Sequence, residues 1–442
     1  MEFCCYSLAW RTLLKTTIVF FCAGISVALF LTPVFAESKD QAEELRDLKK
    51  RVERLESERD NATTIDGTSV KQRLVQSTHG IKISGGLTAT AEGTNHLKNG
   101  RHRGAVALSA DLSLETAIGK DGKVAAAFDI QSGAGLKNLP PLFTSPNGNA
   151  TGVNNDIESY NNDSAHLTQL YYERDFNKKV VITVGKLDLP TYFDVNNFAG
   201  NERTQFLANS FVSNPAVEFG GTQDFNGSGA RVTGNLSDSL DITFGAFEGD
   251  GNFNDAFDRP FLMAETDFKA ALNGKDGNYR FYVWTRQGRP DAMSTADPRD
   301  ERLARSANNG VGLSFDQQLT EIAGVWLRAG VQRQKLAQFD RHISTGVNVK
   351  APFAGRESDV FGAGYGVTFT GAAYENYMSS AAPQFKAGAE HYLEAYYNFA
   401  VAHATAVTGA HISPDIQLVI NPGGDMNMTN LFVYGLRLQV FF

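Results

Sequence analysis

Cysteine is almost missing. Cys4, Cys5 and Cys22 are the three present, and none follows residue 22. The rest of the chain therefore has no disulfide framework and no cysteine-ligated metal site, which suits an oxidising compartment outside the cytoplasm. Long apolar runs are missing too. After Thr16–Leu31 no stretch is long enough for a membrane-spanning helix, so any bilayer-embedded remainder must be a closed barrel, the other structure that satisfies its backbone in lipid. Clustered positive charge is also lacking. The net charge is −8, and because Arg11 and Lys15 outweigh Glu2 near the start, the chain beyond residue 36 is more acidic still. That argues against a nucleic-acid partner. There is no Gly-x-Ser-x-Gly elbow, no His-Glu-x-x-His and no P-loop. His166, His391, His403 and His411 are scattered without an evident catalytic partner. The expectation is a protein that is not an enzyme, with no metal and no cofactor.

The amino-terminus reads as an export signal over residues 1–36: a positive start, an apolar run, then Pro33 and a Val34-Phe-Ala36 cleavage pattern. A retained anchor is the rival reading. Residues 37–62 are rich in Glu, Lys and Arg, and Leu45, Leu48, Val52 and Leu55 alternate at spacings of three and four. That is a short coiled-coil seam. It reads either as a periplasmic oligomerisation stalk or as a solvated spacer, and a linker over 63–78 comes next.

From residue 79 to 442 the period of hydrophobicity becomes two. Val106, Leu108, Ala110, Leu112 and Leu114 alternate with polar or small residues, as do Leu240, Ile242, Phe244 and Ala246. At the carboxy-terminus Phe432, Tyr434, Leu436, Leu438, Val440 and Phe442 enclose Gly435, Arg437 and Gln439. Each strand has one apolar and one polar face, as a barrel between lipid and water requires. Gly119-Lys-Asp-Gly122 and Gly274-Lys-Asp-Gly277 suit tight hairpins through their Asp-Gly pairs. Short turns alternate with long stretches at Ser132–Ala165, Leu187–Gly221, Arg289–Asn308 and Lys335–Asp359. At about 10 residues per strand this predicts an all-β transmembrane antiparallel barrel of roughly 14 to 18 strands, wide enough to keep an aqueous lumen.

If apolar positions face lipid, their neighbours face water. That puts Arg231, Arg280, Trp284, Arg286, Trp326, Arg328, Asp415, Gln417 and Arg437 on the inner wall. A lipid-facing Arg at mid-depth would cost about 2–4 kcal/mol. Singly such residues only solvate a channel. As a set, guanidinium donors and aromatic rings suit sugar hydroxyls and C–H faces. The long loop Leu187–Gly221, with Lys186 just before it, mixes Asp188, Asp194, Glu202, Asn196, Asn197, Gln205 and Arg203 with Tyr192, Phe193, Phe198 and Phe206. So long a loop in a rigid scaffold is functional or disordered, and its aromatics argue for order. It either folds inward as a constriction or caps the barrel. The inward fold is the expectation.

The segment Gly185–Leu207, the block Ile412-Ser-Pro-Asp-Ile-Gln-Leu-Val-Ile-Asn-Pro-Gly-Gly424 and the closing Gly435–Phe442 strand resemble the OprB-type carbohydrate-selective porin family. The resemblance implies a sixteen-stranded outer-membrane barrel, passive sugar diffusion, and Lys186, Asp188, Asp194, Asn196, Glu202, Asp415, Gln417 and Arg437 as positions to watch. The expected partners are mono- or oligosaccharides and other small hydrophilic solutes, outer-membrane lipid, and a second copy through the coiled coil. The alternative is the same architecture used for a siderophore or an anion.

Overall fold

A computed structural model describes residues 80–94, 103–133, 136, 139–146, 163–219, 226–249, 258–287, 295–304, 306–404 and 407–442. The chain divides into Met1–Lys82 and Ile83–Phe442. The export signal and the coiled coil lie outside the described residues.

The second unit is a closed barrel of sixteen antiparallel strands, each bonded to its sequence neighbours: β1(Lys82–Thr94), β2(Arg103–Ile118), β3(Gly122–Gly133), β4(Asp163–Phe176), β5(Val180–Asp188), β6(Asn226–Ser237), β7(Leu240–Glu248), β8(Pro260–Leu272), β9(Lys275–Arg286), β10(Asn308–Gln318), β11(Ala323–Gln332), β12(Phe339–Lys350), β13(Val360–Thr370), β14(Ala389–Ala404), β15(Val407–Ile420) and β16(Leu431–Phe441). The barrel closes where β1 meets β16, with Leu87 opposite Val440 and Ala91 opposite Leu436. Just beyond the strand end, Gly85 and Phe442 exchange both backbone hydrogen bonds, at 3.1 and 3.0 Å. The terminal strand is thus consumed in closure, and no edge is left for another chain to pair with.

Alternation fixes which face is which. Phe244, Phe281, Val283, Leu436 and Leu438 are exposed, while Tyr282, Trp284, Arg328 and Arg437 between such residues are buried. An apolar exterior with a polar and aromatic interior is the inverse of a soluble barrel and matches lipid outside. Among the described residues no helix is long and apolar enough to cross a membrane; the strands do the crossing.

Short turns join the strands at the rim that carries Phe442, and long connections join them at the other. The sequence misjudges three of these connections. In the first hairpin the residue of positive φ is Gly119 (68°), and Gly122 already opens β3. The residues of positive φ in the second hairpin are Asn273 (51°) and Gly274 (74°), while Lys275, Asp276 and Gly277 already belong to β9. The Asn-Gly pair takes the left-handed positions that a two-residue hairpin demands. The expected long loop Lys335–Asp359 contains β12. Its inward residues are His342, Ser344, Gly346 and Asn348, and Thr345 dilutes its outward Ile343 and Val347. With Arg341 at the rim end, that alternation has low contrast.

Substituting Arg for Val283, an exposed mid-strand residue opposite Val311 and Ala264, should destabilise the folded barrel by about 2–4 kcal/mol. Urea titration in lipid vesicles measures it as a lowered unfolding midpoint.

Candidate functional site

The connection between β5 and β6, described over residues 189–219, enters the barrel. It begins with a 3-10 turn at Leu189–Thr191, includes a short helix α1(Asn209–Val212), and places Phe193, Phe206 and Phe211 at 0 % exposure. Irregular backbone inside a barrel needs a hydrogen-bond partner at nearly every N–H and C=O, and the inner wall supplies them. Four arginines donate to its carbonyls. Arg280 reaches Val195 O at 2.8 Å, Arg286 reaches Phe219 O at 2.8 Å, Arg437 reaches Glu202 O and Gln205 O, and Arg328 reaches Asp194 O, Ala199 O and Phe211 O. Wall carboxylates accept from its amides. Glu265 takes Asp194 N at 2.8 Å, Asp316 takes Asn197 N at 3.4 Å, and Glu394 takes Leu207 N and Ala208 N at 2.5 and 2.9 Å.

Asp194 is the centre of this attachment. It sits at positive φ, 59°. Its carboxylate meets Arg328 Nε at 3.0 Å, the Tyr282 hydroxyl at 2.9 Å and Asn214 N at 2.7 Å. Burial pushes the Asp194 carboxyl above the ordinary aspartate value, with Arg328, Tyr282 and the Asn214 amide acting against it. Asn196 donates to Ser314 Oγ and Phe315 O, and Asn197 to Asp316 Oδ1 at 2.8 Å.

Two apolar clusters fill the space between loop and wall. Phe206 lies edge-on to Trp326, Tyr396 and Phe211, with ring centroids 5.4, 5.1 and 5.1 Å apart, and Phe198 belongs to the same cluster. Phe193 packs edge-on to Phe247 in a second cluster with Trp284, Phe261 and Tyr282. So Arg280, Arg286, Arg328, Arg437, Trp284 and Trp326 do face inward, yet they meet the loop and not open water. The difference arises because the loop covers them. Asp415 and Gln417 are similarly buried: Gln417 donates to Asp415 at 2.8 Å and accepts from Tyr392.

The remaining candidates lie at the loop's free side. A polar cavity of about 600 Å³ runs between it and β1–β4, lined by Asp111, Asp129, Gln131, Gln169, Asp188, Glu202, Arg203 and Gln439 among others. Arg203 crosses this space. It makes a two-pronged ion pair with Asp111 of β2, Nε to Oδ2 at 2.6 Å, and also binds Glu202 at 2.6 Å. Burial works to lower the Arg203 guanidinium pKa, but Glu202 and Asp111 outweigh it and hold the group above its ordinary value. Gln205 braces the turn by accepting Gly200 N and Asn201 N. Tyr192 lies under Arg231, whose guanidinium carbon is 4.1 Å from the ring centroid and which is paired with Glu173 at 2.9 Å. Lys186 is apart from the group. Its partner across the sheet is Leu170, an outward residue, and its Nζ donates to Leu167 O at 2.7 Å.

Sequence reasoning missed the acceptors: Asp111, Glu173, Glu265, Asp316, Glu390 and Glu394. Each stands at an inward position of a strand whose outward residues are apolar, so alternation alone carries the signal. Glu390 holds a second segment, accepting from Phe143 N, Thr144 N and Gly423 N. Gly423 belongs to the Asn-Pro-Gly-Gly block, where Gly424 N closes the turn on Asn421 O at 2.9 Å. His391 meets the Tyr365 hydroxyl at 2.6 Å and His411 meets Asn398 at 2.7 Å.

A closed sixteen-stranded barrel with an apolar exterior, long loops on one rim and a polar passage beside a folded-in loop is a diffusion channel of the Gram-negative outer membrane. Residues 98–442 match the family described as carbohydrate-selective porin, OprB family, and the chain belongs to it. It is thus a porin for passive, carbohydrate-preferring diffusion of small solutes, and the family describes a channel rather than an enzyme. No curated protein matches. The high-pH structure of Pseudomonas putida OprB is similar at 16% identity and a TM-score of 0.68, covering 84% of this chain and 96% of that one. The low-pH structure of the same protein gives 13% identity and 0.52, covering 84% and 95%. At these identities the two structures speak to the fold.

Replacing Arg328 with Met should strand the buried Asp194 carboxylate and the loop carbonyls. The expected loss is about 3–5 kcal/mol, the range for breaking a buried pair. It is read as a lower temperature for the heat-induced gel shift, with new protease cleavage within 189–219.

Proposed function

We propose that solutes pass on the β1–β4 side of the barrel, between that wall and the free face of the folded-in loop, and that neutral polyhydroxylated solutes pass best. The cavity there carries the reading. Its lining includes carboxylates, side-chain amides and hydroxyls together with Arg203 and Arg328, so it offers both donors and acceptors, which is what a sugar's hydroxyls require. Much of the other half of the lumen holds aromatic side chains packed on the loop. Asp188, Glu202 and Arg203, with Asp111 opposite, form the narrowing. Asp194, Asn196, Asn197, Arg280, Arg328 and Arg437 hold the loop in place and shape the passage from behind. The carboxylates of Asp111, Asp129, Asp188 and Glu202 around Arg203 disfavour anions, which weighs against an anion-uptake channel.

Outer-membrane lipid is the medium the outer face fits. The short heptad seam in residues 37–62 supports assembly of copies through that segment. Deleting it and measuring mass in detergent by light scattering tests this, and an unchanged mass would refute it.

Single-channel recording in planar bilayers with neutral and anionic sugars tests the route. Neutral sugars should lower the ion current, and anionic sugars of the same size should do so less. Arg203→Ala should raise conductance by removing the group that spans the passage. Its unfolding free energy should fall by no more than about 1 kcal/mol, since the pair is partly exposed. A conductance unchanged in Arg203→Ala would place the passage elsewhere.

A further inference from the structure

At the seam that closes the barrel, several buried polar atoms have no hydrogen-bond partner among the described residues. They are both amide atoms of Gln439 and the hydroxyls of Thr88 and Thr90. Each of these residues is 2 % exposed or less. Buried polar groups left unsatisfied are rare, and each calls for an explanation. The three stand together: Thr88 is directly opposite Gln439 across the seam, and Thr90 is opposite Arg437. Directly opposed residues share one face of the sheet at about 4.5–5.5 Å between Cβ atoms.

This corner borders the passage. Gln439, Phe441 and Gly86 all line the cavity between the loop and β1–β4. Phe441 faces inward, with Gly86 as its partner on one side and Gly409 on the other, and its ring meets His411 edge-on at 5.9 Å. A Cβ on Gly86 would come within 3.3 Å of the Gln439 amide nitrogen and 3.5 Å of the Phe441 ring. Glycine there lets the Gln439 amide and the Phe441 ring pack close against the β1 backbone. Next along the same face, Arg437 is tied to Glu202 O and Gln205 O, which fixes the loop edge beside the corner.

We propose that this corner is a binding subsite for a neutral polyhydroxylated solute, a sugar ring in the first instance. One hydroxyl donates to Gln439 Oε1 and its vicinal neighbour accepts from Nε2, a match that an amide offers and a lone charge does not. The Thr88 hydroxyl serves a third oxygen, and the ring's C–H face rests on Phe441. The subsite adjoins the Arg203–Asp111 crossing, since Asp111, Arg203, Gly86, Gln439 and Phe441 line one cavity. It deepens the sugar-passage reading and rests on it.

The test is sugar titration of the ion current through the full-length protein in planar bilayers, with D-glucose and maltose as probes. In Gln439→Leu and in Thr88→Val the half-blocking sugar concentration should rise about two- to tenfold, the effect of losing one or two neutral hydrogen bonds. Phe441→Leu should weaken block as well. If wild-type current is blocked by sugar and neither Gln439→Leu nor Thr88→Val alters the block, the subsite is wrong and sugar passage stands. If sugar leaves the wild-type current untouched, both fall. Should Gln439→Leu fail to give a heat-modifiable folded band, Thr88→Val, which keeps the side chain's shape, decides alone.

Discussion

An irregular stretch of backbone inside a barrel must have its amides and carbonyls answered, and everything distinctive about this protein depends on how that is done. Segment 189–219 has no ladder of its own. Guanidinium groups on the wall answer its carbonyls and carboxylates answer its amides. The wall uses ionised side chains because bonds to charged groups are roughly twice as strong as neutral ones. Arg328 alone engages three carbonyls and the Asp194 carboxylate. The pairing is reciprocal as well, since opposite charges on wall and loop leave little net buried charge.

This attachment is one-sided. The bonded arginines and carboxylates lie on β8–β16, and the aromatic clusters fill the space between that part of the wall and the loop. The strands β1–β4 keep small and polar inner residues, and among the described residues the firm connection from the loop to them is Arg203 to Asp111. A barrel wide enough for an open lumen is thereby partly filled by its own loop. In the proposed passage, hydroxyls that both donate and accept would let a sugar exchange water for wall groups as it moves.

Much of the barrel is legible in the chain. Period-two alternation in β2, β7 and β16 states which side chains meet lipid, and the short-long rhythm of connections states which rim bears loops. β12 was lost because small polar inner residues and a Thr among the outer ones leave too little contrast. The helix α2(Ala372–Ala381) in connection 371–388 was also unread, being short and weakly patterned. In the candidate site the arginines and tryptophans were visible as inward residues, but not that the loop would cover them. The carboxylates that complete each contact were passed over because an inward Glu in a porin strand resembles any solvated lumen charge.

By itself the sequence determined the inside and outside of the wall. Side-chain polarity on a strand is a local property with a period of two, and lipid enforces it residue by residue. What only the tertiary structure decided is which inward residues see solute. That depends on where a loop from one connection comes to rest against strands more than a hundred residues away, as Asn214 does on Ala329 and Arg437 on Gln205. No local pattern encodes such a docking. It is selected by the simultaneous fit of hydrogen bonds and rings across the lumen.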